Sequence, residues 1–224
     1  MAIFMVVSNR TISRVLKVLR DELKELPAPS VTLVGRKWKS PFHVLVSCIL
    51  SLRTKDATTL PASARLFALA NTPAEMLKLS PRRIEKAIYP VGFYKRKART
   101  ILDICHRLEE EFDGKVPNDL DVLLTFKGIG RKTANLVLTE GFGKPAVCVD
   151  THVHRISNRL GYVNTRTPEE TEIALRKKLP KKHWIEYNAL LVAWGQNICR
   201  PVSPLCSQCR LSRFCARAGV KNSR

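Results

Sequence analysis

The chain has 224 residues, with 39 Lys or Arg against 19 Asp or Glu, for a formal net charge of +20. Apolar residues make up 45%, enough for a core, which excludes a wholly disordered chain. No apolar run nears the ~18 residues a membrane helix needs, so the chain is not expected to span a bilayer, and the charge calls for a polyanionic partner, most simply nucleic acid.

The apolar run 2–7 has no basic residue before it and no small-residue cleavage site after it, so it does not read as a signal peptide. Residues 11–26 place Ile12, Val15, Leu16, Leu19, Leu23 and Leu26 at helical spacing, and Pro27 and Pro29 end the run. Pro41 opens a second helix over 42–52, apolar almost all round and therefore expected in a core. A third covers 56–70. Pro73 and Pro81 sit where the first turn of a short helix begins. Residues 95–112 form a long amphipathic helix, and Asp113-Gly114 is its turn. Helices 118–124 and 131–139 flank Lys127-Gly128-Ile129-Gly130, and 150–160, 168–179 and 183–196 complete the set. No period-2 strand, repeat or low-complexity tract interrupts them. The expected fold is all-α, with about nine to eleven helices joined by short connections.

The seven cysteines are unevenly placed, and an odd count argues against a disulfide framework. Cys48, Cys105 and Cys148 have apolar neighbours and read as small buried hydrophobes. Cys199, Cys206, Cys209 and Cys215 follow the pattern C-x6-C-x2-C-x5-C. Four thiols so close together point to a metal or cluster site, and spacing alone leaves zinc and [4Fe–4S] both open.

The Gly128-Ile129-Gly130 turn has the shape of a helix-hairpin-helix. Both glycines tolerate positive φ and close backbone approach, and Ile129 would anchor the turn. The following helix, opening with Arg131 and Thr133, would present its first amides to a phosphate, gripping a DNA backbone without reading sequence. Lys132 falls in that helix's first turn. A cation there is disfavoured by about 0.3–1 kcal/mol, which favours the neutral, nucleophilic amine. The plainer role is phosphate binding. Asp150 ends an apolar run ahead of a helix, so it is an expected N-cap, and a carboxylate there could also stabilise a developing sugar cation. His152 and His154 do not share a helix face, so they are not a metal pair, and with Arg155 they are expected to contact DNA or fill polar gaps near it.

The motifs G-I-G-R-K-T-A-N, V-D-T-H-V-H-R-I and C-x6-C-x2-C-x5-C, in that order, make the chain from about Pro41 to Cys215 resemble the endonuclease III family. These are helix-hairpin-helix glycosylases that remove oxidised pyrimidines from double-stranded DNA. The resemblance implies Lys132 as Schiff-base nucleophile, Asp150 as catalytic carboxylate, and the four terminal cysteines as ligands of a [4Fe–4S] cluster. It implies two helical lobes, 34–144 and 1–33 with 145–224, with DNA in the cleft between them. It further implies a bifunctional glycosylase and abasic-site lyase, acting as a monomer, intracellular and DNA-associated (in the nucleoid of a prokaryote). Arg53, beside Thr54, stands where the family often has a glutamine that fills the gap left by the extruded nucleotide. Phe93 stands where it often has an aliphatic wedge.

Two other readings differ in chemistry. One is a non-catalytic DNA-binding module with a structural zinc site, which needs neither Lys132 nor Asp150. The other is a monofunctional glycosylase for a different lesion. Residues 199–224 carry six basic residues and no acid, so phosphate contacts are expected there too. Affinity for duplex DNA should therefore fall roughly 10³-fold or more between low and moderate salt, read by titration at several ionic strengths; a flat dependence would remove DNA as the partner.

Overall fold

Prolines start four of the helices. Pro41, Pro73, Pro81 and Pro168 each stand in a first helical turn, where the missing N–H costs nothing and the ring presets φ. Thr72, Ser80 and Thr167 precede three of them, and each side chain accepts a bond from a first-turn amide. The computed structural model describes residues 7–224, so most of the apolar run 2–7 lies outside the described residues. Among the described residues there is no strand, and no helix is long and apolar enough to cross a membrane.

In chain order the helices are α1 (Asn9–Glu22), α2 (Ser30–Trp38), α3 (Pro41–Ser51) and α4 (Asp56–Phe67). They continue with α5 (Pro73–Leu77), α6 (Pro81–Ile88), α7 (Tyr94–Phe112), α8 (Leu120–Leu124) and α9 (Arg131–Leu136). The last three are α10 (Thr151–Arg159), α11 (Pro168–Lys178) and α12 (Trp184–Asn197). A π-turn, Val137–Gly141, follows α9, and a 3₁₀ turn, Leu23–Glu25, follows α1.

Two compact units result. One joins the described residues up to Ala28 to Val147–Arg224; the other is Pro29–Ala146. In the first, the α1 stripe Ile12, Val15, Leu16 and Leu19 is fully buried with Val153, Ile156 and Leu160 of α10 and Tyr187, Leu191 and Trp194 of α12. In the second, α3 is the axis. Residues 42–50 are all buried, so α3 needs partners on every side and finds them in α2, α4, α7, α9 and the π-turn. Two glycines permit the closest approaches. A Cβ at Gly35 would lie 3.0 Å from the Glu140 carbonyl, and one at Gly141 would lie 3.0 Å from the Pro41 backbone.

The structure departs from the sequence expectations in a few places. Helix α2 was not expected. Its sequence, SVTLVGRKW, contains Gly35 and three β-branched residues, all poor helix formers, and packing on α3 and α4 overrides that propensity. With it the described residues form twelve α-helical segments where about nine to eleven were expected. It also straddles the expected lobe boundary at residue 34: the unit border falls before it, at 28/29, and returns at 146/147 rather than 144/145. The first helix stops at Glu22 and tightens into the 3₁₀ turn.

Candidate functional site

The hairpin turn is built from both of its flanks. Asp119 caps α8, its Oδ1 accepting from Asp121 N (2.9 Å) and Val122 N (3.0 Å). Gly128 takes φ +90°, and a Cβ there would lie 2.9 Å from Thr100 Cγ2, so the turn rests against α7. Ile129 is buried and anchors it. Gly130 does not use positive φ: it is extended (φ −97°, ψ 175°) and is the N-cap of α9. What it offers is space, since no protein atom lies within 4 Å of where its Cβ would be. No side chain caps α9, and its first intrahelical bond is Ala134 N–H to Gly130 O (2.9 Å). The amides of Arg131 to Thr133 therefore point out of the helix end, the arrangement that receives an anion. Arg131 and Lys132 are exposed there; Thr133 and Ala134 are buried and hold the helix down. Lys132 stands close enough to Cys48 of α3 for its charge to act on that thiol, which burial nonetheless pushes up to about 12. Cys48, Cys105 and Cys148 are all buried.

A second group in the same unit brings Arg53 to Phe93. Both have left-handed backbone, φ +52° and +58°, uncommon outside glycine. The Phe93 side chain is 61% exposed, and the Arg53 guanidinium lies 5.8 Å from its ring centroid. Together they border a hollow of about 380 Å³ whose walls include Leu52, Arg96, Lys97, Thr100 and Gly128, so these two side chains and the hairpin turn share one surface. Thr54 is not turned outward with Arg53. Its hydroxyl donates to Leu52 O (3.2 Å) and accepts from Gly92 N (3.2 Å) and Lys97 Nζ (3.1 Å); it closes the turn rather than offering a contact.

In the other unit, Asp150 is the N-cap of α10. It is 8% exposed, and its Oδ1 accepts from His152 N and Val153 N, both at 2.9 Å. His152 is half-buried against α12: a Cβ on Gly195 would stand 2.5 Å from its Nδ1. His154 pairs through Nδ1 with Thr171 Oγ1 (2.7 Å) and fills a polar gap. Arg155 was expected as a DNA contact, but its fork is engaged internally. It donates to Cys199 O (2.8 Å), Gly195 O (3.2 Å) and His152 Nδ1 (3.0 Å). One turn on, Arg159 donates to Arg200 O (2.7 Å), Pro201 O (2.8 Å) and Cys199 Sγ (3.4 Å).

Those two arginines hold the start of the cysteine segment. Among the described residues, no three of His, Cys, Asp or Glu are set around one metal ion. The four thiols are nevertheless neighbours, because each of the other three acts on Cys215, whose thiol burial pushes up to about 11. Donors are aimed at the sulfurs: Arg159 at Cys199, the Arg217 amide at Cys215 (3.4 Å), and the Leu211 amide and Trp194 side chain at Cys209. A soft, four-sulfur donor set ringed by N–H groups fits thiolates that carry negative charge on a cluster.

Arg159 was not singled out from the sequence, and Lys97 only as one of the basic residues Lys95, Arg96, Lys97 and Arg99 that follow Phe93; unlike its exposed neighbours Lys95, Arg96 and Arg99, Lys97 is buried. Lys97 did leave a signal: it occupies the apolar stripe of α7 with Ile101, Ile104 and Leu108, where a charge is out of place. Arg159 leaves only its i, i+4 relation to Arg155.

The signature of HhH-GPD superfamily base excision DNA repair proteins matches residues 46–181. Endonuclease III of Thermotoga maritima is 50% identical over 89% of this chain and 91% of its own. Endonuclease III of Escherichia coli K12 is 34% identical over 89% and 93%. A solved non-covalent endonuclease III–DNA complex superposes with a TM-score of 0.82 at 33% identity, covering 94% of this chain and 96% of that one. A trapped endonuclease III–DNA covalent intermediate gives 0.81 at the same identity and coverage.

The two turn glycines should separate folding from binding. Gly128→Ala forces a side chain into left-handed backbone against Thr100 and should cost about 1–3 kcal/mol in chemical denaturation. Gly130→Ala has room and ordinary backbone angles, so it should cost less than about 1 kcal/mol while weakening duplex binding about tenfold in titration. Unchanged binding by Gly130→Ala would mean that no phosphate approaches this turn.

Proposed function

The chain belongs to the endonuclease III family of helix-hairpin-helix base-excision repair proteins, DNA glycosylases with abasic-site lyase activity, and from that premise we propose that it removes oxidised pyrimidines from double-stranded DNA and then cuts the strand 3′ to the abasic site. The observation that carries this reading is Lys132: an exposed amine in the first turn of α9, directly after a turn shaped to receive a phosphate.

The target base is unreachable inside a duplex, so the nucleotide is extruded at a cost of a few kcal/mol. Lys132 Nζ attacks C1′ of the extruded nucleotide through its lone pair. The C1′–N bond to the base breaks, its electron pair leaves with the base, and the base takes up a proton. Loss of protons from the bound amine and opening of the sugar leave a C1′ imine. That imine acidifies the C2′ hydrogen, whose removal expels the 3′ phosphate by β-elimination. Hydrolysis of the imine returns the lysine. Asp150, held by its two amide bonds, stabilises the cationic sugar and assists the proton transfers. Arg53 and Phe93 meet the space the extruded nucleotide leaves, the guanidinium by stacking and hydrogen bonding and the ring by wedging.

In this proposal Cys199, Cys206, Cys209 and Cys215 would hold a [4Fe–4S] cluster, a reading that the family membership and the four-sulfur donor set support. When bound, the cluster supplies covalent cross-links to a segment with only one short 3₁₀ turn, Ser212–Phe214. The enzyme would work as a monomer, intracellular and DNA-associated.

Borohydride trapping on a duplex with one thymine glycol or one abasic site tests the chemistry. Wild type should give a covalent complex, and Lys132→Ala none; no complex with wild type would remove the lyase. Asp150→Asn keeps a capping oxygen, so its melting temperature should hold while base release slows by about 10²-fold or more. The purified protein should be brown with a broad absorbance at about 400 nm, lost on iron removal; a colourless, zinc-loaded protein would overturn the cluster assignment.

A further inference from the structure

Lys97 is the one lysine or arginine that is buried among the described residues, at 5% exposure. Its ammonium donates to Leu50 O (2.9 Å), Leu52 O (2.5 Å) and Thr54 Oγ1 (3.1 Å). All three partners are neutral oxygens, and burial pushes the ammonium down to about 8. An unneutralised charge in a core is costly and calls for a reason. The position of the acceptors supplies one. They lie at residues 50, 52 and 54, on alternate positions that bracket Arg53, so the chain wraps the ammonium and turns Arg53 outward in left-handed backbone. Lys97 stands in the first turn of α7, where its backbone N–H makes the ordinary helical bond to the N-cap carbonyl, Phe93 O (3.0 Å), so its side chain ties the 52–54 turn to the helix that Phe93 starts. Between the two, Gly92 donates to Thr54 Oγ1 and sits so close to Arg53 O that a Cβ there would lie at 2.8 Å.

We propose that Lys97 is a positioning residue for damage recognition: by clasping the turn at 52–54 and the residue before α7 together, it sets Arg53 over Phe93 as one unit that fills the gap in the duplex. This rests on the proposed function, in which that pair meets the vacated space. Lys97 touches no DNA itself. An apolar residue of the same length would fill its volume but leave the Leu50 carbonyl without its donor, and the Leu52 carbonyl and Thr54 hydroxyl with only the bond between them and the one from Gly92. The turn would then relax toward right-handed backbone and carry Arg53 away from the ring.

The test is a double-mutant cycle of Lys97→Met and Arg53→Ala on the full-length protein. Binding is measured to a duplex with a tetrahydrofuran abasic analogue and to the same duplex undamaged. Lys97→Met should reduce the preference for the analogue about tenfold, keep undamaged-duplex affinity within about twofold, and leave Arg53→Ala almost nothing more to remove. Trapping on a single-stranded abasic oligonucleotide, which has no gap to fill, should proceed at the wild-type rate. Should Lys97→Met not fold, Thr54→Ala removes one acceptor, keeps the lysine, and should move the same preference in the same direction. A preference retained in both variants, or losses that simply add, overturns the proposal and leaves Lys97 a structural residue. A wild type without any preference for the analogue overturns the proposed function, and this inference with it.

Discussion

Helix α3 is buried on every face, and its unit follows from that one constraint. Nine consecutive residues, 42–50, are all buried, so five elements must supply apolar surface around a single axis. Glycines at 35 and 141 let two of them approach to backbone contact. Burying a helix also buries its end, where carbonyls lack intrahelical donors. The Lys97 ammonium meets two such oxygens, Leu50 O and Leu52 O, at the point where α3 turns outward to Arg53. At another point along α3, Cys48 lies within electrostatic reach of Lys132. The proposed nucleophile and the side chains proposed to meet the vacated space are thus both referred to the same rigid helix.

Helix α10 does a comparable job in the other unit. Its N-cap is Asp150, so the carboxylate is fixed by the helix it starts. It also carries the half-buried Arg155 and Arg159, which grip Cys199 and the residues after it. A segment with little regular structure is thereby tied to a regular one before any cluster forms. The cost is that Arg155 is withdrawn from DNA: a guanidinium bonded to two carbonyls and an imidazole has few donors left for a phosphate.

In the proposed function, two kinds of contact divide the labour of recognition. The hairpin turn offers backbone amides, which accept any phosphate and carry no sequence information. Arg53 and Phe93 instead sit in strained backbone with one side chain largely exposed. Strain of this kind persists only where surrounding bonds over-determine it, and here Thr54, Gly92 and Lys97 provide them.

Much of this was legible in the residue order alone, because it depends on short-range spacing. Eleven helices, the proline starts, the Asp150 cap, the buried scattered cysteines and the hairpin turn are set by neighbours within a turn or two. Candidate residues such as Lys132 were visible for the same reason: they lie inside local motifs whose geometry the backbone dictates. The rest depended on packing between distant segments. Helix α2 forms against its own propensity because α3 needs a partner. Gly128 meets Thr100 of α7 only once the hairpin has docked on that helix. Thr54, Arg155 and Lys97 carry the same hydrogen-bonding groups in any fold, and whether each faces solvent or a carbonyl from elsewhere in the chain is a tertiary matter. A donor's identity is written in the sequence; its acceptor, when it lies some 45 residues away as for Lys97 and Leu52, is chosen only when the chain has packed.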